Sequence, residues 1–69
     1  MPVVNTLELE GVSDQSWGEA AREALREAAT TIRNITKMDV IRTSALVNDQ
    51  GISEFRTEVR IFFEVETKR

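Results

Sequence analysis

The sequence predicts an α+β fold of order β1-α-β2-β3, in which a three-stranded antiparallel sheet is partly wrapped around one helix. Three observations carry that expectation. The first residues alternate apolar and polar with period two, the middle carries an apolar stripe at helical spacing, and the second half alternates again on both sides of a turn. The chain has 69 residues, the length of one domain. No linker, repeat or low-complexity stretch divides it.

In the stretch Val3 to Glu10, Val3, Leu7 and Leu9 share one face and Thr6, Glu8 and Glu10 the other, which reads as a half-buried strand. Gly11 is expected to end it. Ser13 is the expected helix N-cap, because its hydroxyl can accept from the free N–H groups of the first turn. Asp14 then falls where the helix dipole favours negative charge. Trp17, Ala20, Ala21, Ala24, Leu25, Ala28 and Ile32 form one apolar stripe. Glu19, Arg22, Glu23, Arg26, Glu27 and Arg33 fall largely on the other side, so a helix is expected from about residue 14 to 34. The Ala residues imply close approach to a sheet, with Trp17 and Leu25 as the bulky contacts.

The rest reads as a hairpin. Thr36 to Val47 is rich in β-branched residues, Asn48-Asp49-Gln50-Gly51 is turn chemistry, and Ile52 to Val65 alternates. Phe55, Thr57, Val59, Ile61, Phe63 and Val65 share one face of that strand; Glu54, Arg56, Glu58, Arg60, Phe62 and Glu64 share the other. A strand of that length spans about 46 Å. A compact chain of this size has a radius of gyration of about 11 Å. The strand must therefore bend around the helix or project past it.

Composition narrows the function. Cys and His are both absent, which removes disulfides, thiolate zinc sites and the commonest acid–base catalyst near neutral pH. A chain this short rarely buries enough apolar surface alone, so other subunits are the expected source of stability. One helix covers one sheet face, and the alternating charges of the other suit ion pairs with neighbouring subunits. A net charge of −3 argues against nucleic acid as a partner. No apolar run is long enough to span a membrane, and residues 1–10 do not resemble a signal peptide, so the cytoplasm is the expected location. No paired carboxylates in a credible cleft are legible, and no enzyme is expected.

The order of elements resembles the dodecin family over nearly the whole chain. The residues that carry the resemblance are Leu7-Glu8-Leu9-Glu10-Gly11-Val12-Ser13, Ser16-Trp17, Ala20-Ala21, Ala24 and Ala28. Asp39-Val40, Glu54-Phe55-Arg56-Thr57-Glu58-Val59 and Phe63-Glu64-Val65 complete it. The resemblance implies a subunit of a hollow homododecameric shell that binds a flavin, riboflavin or FMN, between subunits without turning it over. It also implies two site residues, a Trp before the second strand that stacks on the flavin ring and a Gln on the third strand that bonds its edge.

Here those positions hold Lys37 and Arg56. Lys has no flat face, and a stacking partner contributes on the order of 1–3 kcal/mol by analogy with bases. Like charges facing their symmetry copies require an anion or an acidic partner. Asp39 and Glu58, each two residues on and on the same strand face, are the expected partners. The expectation is an altered pocket that takes a small ligand or ion, with retained flavin binding as the alternative. A further branch of the family is described as binding calcium, and the Ser16-Trp17 helix start resembles it. Asp14, Glu19, Glu23 and Glu27 nevertheless read as a solvated helix face. The hairpin tip has too few ligands for an EF-hand loop. Trp17 falls on the helix stripe and is expected in the core rather than as a stacking platform.

Overall fold

The computed structural model describes residues 2–66. β1 (Pro2–Ser13), α1 (Trp17–Ala29), β2 (Ile35–Asn48) and β3 (Gly51–Glu66) follow one another along the chain. The sheet is antiparallel with β3 in the middle, in the order β1-β3-β2. Both outer strands therefore keep one unpaired edge. The predicted fold class is the one found.

The central strand is the one with the cleanest alternation, and its alternate residues Thr57, Val59 and Ile61 are at most 1% exposed. They lie under the helix, whose Ala20, Ala21, Ala24 and Ala28 form the buried side of the stripe. Leu9, Leu25, Ile32, Ile35 and Met38 pack around that centre. Small side chains on the helix bring its backbone close to the sheet, and Gly11 brings the sheet close to the helix. A Cβ built on Gly11 would stand 1.7 Å from the carbonyl oxygen of Ala20.

That contact corrects the expectation that Gly11 ends β1. The strand runs through Gly11, opposite Thr57, to Ser13; the glycine is there because any side chain would meet the helix. The helix start is corrected too. Ser16, not Ser13, is the N-cap, accepting from the backbone N–H of Glu19 at 3.0 Å. Ser13 accepts instead from the N–H of Gln15 at 2.9 Å, closing the turn before the helix. Asp14 lies in that turn, and Glu19 is the acid of the first helical turn. Ser16→Ala is expected to cost about 1 kcal/mol, read as a lower urea midpoint by far-UV circular dichroism.

The helix is also shorter than its stripe. The Thr30 hydroxyl donates to the Glu27 carbonyl at 2.7 Å, and the Ile32 N–H donates to the Ala28 carbonyl at 2.9 Å. Asn34 then takes a positive φ of 64°, a conformation Asn tolerates better than most residues. Its carbonyl accepts from the N–H of Glu64 at 3.1 Å, which sets the chain into β2. At the other end of the hairpin, the Asn48 side chain accepts from the Gln50 N–H at 2.9 Å. Gly51 has a φ of 116°, which a side chain would strain.

β2 carries register irregularities between Ile35 and Lys37, Val40 and Arg42, and Leu46 and Val47. Such irregularities bend and twist a strand. The helix packs on β1 and β3 and barely reaches β2. The hairpin accordingly runs past the helix, giving principal extents of 58 × 19 × 12 Å and a radius of gyration of 14.6 Å.

Candidate functional site

Strand register sorts the side chains of the sheet onto two faces, because cross-strand partners share a face. Glu8 stands opposite Arg60, Glu10 opposite Glu58, and Val12 opposite Arg56. From β2, Lys37 stands opposite Phe62, Asp39 opposite Arg60, Arg42 opposite Glu58, and Ser44 opposite Arg56. These residues make up the face turned away from the helix. All four predicted site residues, Lys37, Asp39, Arg56 and Glu58, lie on it.

They do not pair as expected. Arg56 donates through one Nη to Glu10 at 3.3 Å and through the other to Glu54 at 3.1 Å. Its Nε is buried without a partner within the chain. Glu58 takes Arg42 at 3.6 Å. Arg60 is held by Glu8, which accepts from Nε at 2.9 Å and from Nη2 at 2.7 Å. Asp39 faces Arg60 in register and makes no ion pair among the described residues. Lys37 places its ammonium 4.2 Å from the centroid of the Phe62 ring. Within one protomer, then, Asp39 and Glu58 do not neutralise Lys37 and Arg56. β1 lies beside β3 and supplies the acids, Glu8 directly across from Arg60 and Glu10 diagonally to Arg56.

Nor does one protomer bring Lys37 and Arg56 together. Lys37 is level with Phe62, six residues along β3 from Arg56, a separation of about 20 Å. Half-exposed ion pairs of this kind contribute about 0–1 kcal/mol each. Their main effect here is geometric. They fix the guanidinium planes of Arg56 and Arg60 and leave few charges of this face free for a ligand.

Trp17 departs from expectation as well. It begins the helix but is 41% exposed, because its ring reaches past the covered part of the sheet. The indole N–H donates to the Ser44 carbonyl at 2.8 Å, and the ring meets Phe55 edge-on with centroids 5.0 Å apart. Beneath it, the buried Thr57 hydroxyl donates to the Trp17 carbonyl at 2.8 Å. Trp17 thus ties the helix start to both hairpin strands. The helix acids behave as read from the sequence, with Glu19 bonded to Arg22 at 3.0 Å and Glu23 paired with Arg26.

Sequence reasoning did not anticipate the contact of Lys37 with Phe62. The signal was present, since Phe62 is an aromatic residue set among the alternating charges of β3. Its partner could not be read, because β2 is bulged and its register with β3 shifts by one residue between Ile35 and Lys37. A separate cavity of about 300 Å³ lies at the far end of the molecule, lined by Ile32, Arg33, Asn34, Phe63, Glu64 and Val65 among others. It shares Glu64 and Glu66, at the end of β3, with the charged face. Among the described residues no three acidic side chains converge as a metal site, and no helix is long and apolar enough to cross a membrane.

Known proteins supply an independent comparison. A point mutant of the Thermus thermophilus dodecin is 24% identical, with a TM-score of 0.92 over 99% of this chain and 100% of that one. The dodecin from Streptomyces davaonensis is 18% identical, with a TM-score of 0.89 over 96% and 97%. Both likenesses speak for the fold. The calcium chelating immunodominant antigen from Mycobacterium tuberculosis, a calcium dodecin, is 25% identical with a TM-score of 0.82 over 97% and 96%. No curated protein matches the chain. The Dodecin family model matches residues 3–66, which takes in all four elements and the whole charged face. The chain belongs to the dodecin family.

Proposed function

We propose that the protein is a non-catalytic, cytoplasmic subunit of a hollow homododecameric shell, holding a small ligand or ion in a pocket between subunits. The pocket differs from the flavin pocket of the family in having Lys37 and Arg56 as its defining pair, with Asp39 and Glu58 beside them. The observation that carries the proposal is the apolar surface one protomer leaves uncovered. Val40, Val47 and Ile52 are 56%, 71% and 53% exposed, all on the hairpin that projects past the helix. Scattered apolar side chains are ordinary on a surface, but a long arm rich in them needs a second molecule to cover it. The unpaired edges of β1 and β2 add backbone groups that neighbouring subunits can satisfy or shield.

The separation of Lys37 from Arg56 within one chain favours the same reading. Only a neighbouring copy can bring one protomer's Lys37 toward another's Arg56. A flavin, riboflavin or FMN, is one ligand for such a pocket. Calcium is the other, favoured by the likeness to the calcium chelating antigen. Because one protomer gathers no three acidic ligands among its described residues, an ion site would draw on carboxylates from several subunits. Sedimentation equilibrium tests the assembly. The expected species has twelve times the 7.8 kDa of one chain; a stable monomer would exclude the shell.

A further inference from the structure

We propose that two copies of the chain join edge to edge along β2 about a twofold axis at Met38, with Lys37 of each copy meeting Asp39 of the other. The inference rests on the shell reading for self-association. It adds which edge makes one of the contacts and which residues set its register.

The charges left over on β2 point to this contact. On the open face Arg42 pairs with Glu58, Arg56 with Glu10 and Glu54, and Arg60 with Glu8. Among the described residues neither Lys37 nor Asp39 forms an ion pair. The arginine opposite Asp39 is Arg60, whose Nε and Nη2 are already bonded to Glu8. The Lys37 ammonium lies over the Phe62 ring instead of on an acid. Both residues are exposed, and both stand on an outer strand whose far edge has no partner in the sheet. One cation and one anion, two residues apart on a free edge, are the charges a second copy can complete.

An antiparallel pair made from two copies of one strand is symmetric about a twofold axis, so each contact occurs twice. With the axis at Met38, Lys37 stands against Asp39, Asp39 against Lys37, and Thr36 against Val40. Opposite charges then face each other in both ion pairs, and the exposed Val40 and Ile41 lie beside the axis where pairing covers them. Other registers are penalised. A slip of one residue turns the charges onto the wrong face. A slip of two sets Lys37 against Lys37 or Asp39 against Asp39, and like charges in contact are costly. β2 is regular from Lys37 to Val40 and irregular on either side, which confines the pairing to this stretch and withholds the rest of the edge from other strands. The flexible stem of Lys37 lets its ammonium reach across without moving the backbone. Arg56, level with Ser44 farther along the hairpin, lies outside this contact and is left to a different neighbour.

Charge exchange and cross-linking test the register. Lys37→Asp alone, or Asp39→Lys alone, sets like charges against each other in both pairs. Each is expected to raise the protein concentration needed for half-assembly at least tenfold, with the far-UV circular dichroism of the fold retained. Combining Lys37→Asp with Asp39→Lys exchanges the charges and is expected to restore assembly. Met38→Cys tests the axis itself, because the chain has no other cysteine and residues on a twofold axis face their own copies. Mild oxidation, or a short thiol-to-thiol cross-linker, is expected to give covalent dimers and no longer chains. Single reversals that assemble like the parent would overturn the proposal. So would reversals that the exchange does not rescue, or assembled Met38→Cys protein that yields no covalent dimer. Native mass spectrometry of the parent keeps the two ideas apart. An intact shell indifferent to these changes refutes the β2 contact alone, whereas a parent protein that does not assemble refutes the shell reading and the contact with it.

Discussion

Gly11→Ala is expected to destabilise the protein by about 3 kcal/mol or more, at the upper end of overpacking substitutions. The added methyl would stand 1.7 Å from the Ala20 carbonyl oxygen, 2.8 Å from the Ala20 carbonyl carbon and 3.1 Å from the Ala24 nitrogen. All three are helix backbone atoms, so no rotamer change relieves the clash. Either the helix lifts off the sheet or β1 twists away from β3, and both loosen the packing over Val59 and Ile61. Lifting the helix also stretches the bond from Thr57 to the Trp17 carbonyl and the bond from Trp17 to Ser44. The measurement is a urea titration at fixed protein concentration, since oligomer stability depends on concentration. A change below about 1 kcal/mol would mean that the close helix–sheet contact is not needed.

Ile61→Ala is expected to cost about 3 kcal/mol, within the range for large-to-small core changes. Ile61 is 0% exposed, flanked by Leu7 on β1 and Met38 on β2 and capped by the alanines of the helix. Those alanines have no length to extend into the space left behind, and backbone hydrogen bonds on both sides hold the strand in place. Met38 is the one flexible neighbour able to reach in, which keeps the expected cost below the top of the range. The same titration measures it. Because the residue is enclosed within one protomer, the loss should appear whatever the state of assembly.

How far these features were legible follows from the range of the interactions behind them. The helix stripe and the alternation of β3 are local, and the sequence displays both. The helix start was less clear, because Ser13 and Ser16 are equally good caps in type. Only Ser16 has its acceptor spaced to reach the Glu19 N–H, while Ser13 is taken up by the turn. The helix end was hidden because Ile32 continues the stripe after the backbone has left the helix. Gly11 reads as a strand terminator in one dimension, and its purpose appears only when the helix lies across it.

The charged face shows the same division. Its composition was evident along β3, but its pairing depends on which strand lies beside which. With β3 central, Glu8 and Glu10 come from the start of the chain to hold Arg60 and Arg56. Cross-strand neighbours sit about 5 Å apart, closer than residues two apart on one strand. Glu8, directly opposite Arg60, therefore holds it, whereas Glu10 reaches Arg56 only diagonally and shares it with Glu54. Lys37 is left to Phe62 by the same logic, since the residue opposite it on β3 is not an acid. Nothing in the sequence of β2 alone marks that outcome.

As proposed above, this chain is one subunit of a closed shell with an altered ligand pocket. Native mass spectrometry of the protein purified from its own source tests it most directly, because subunit count and retained ligand are read together. The expected species is a dodecamer that carries a small ligand or ion and loses it on activation in the gas phase. A stable monomer or dimer as the only species would contradict it.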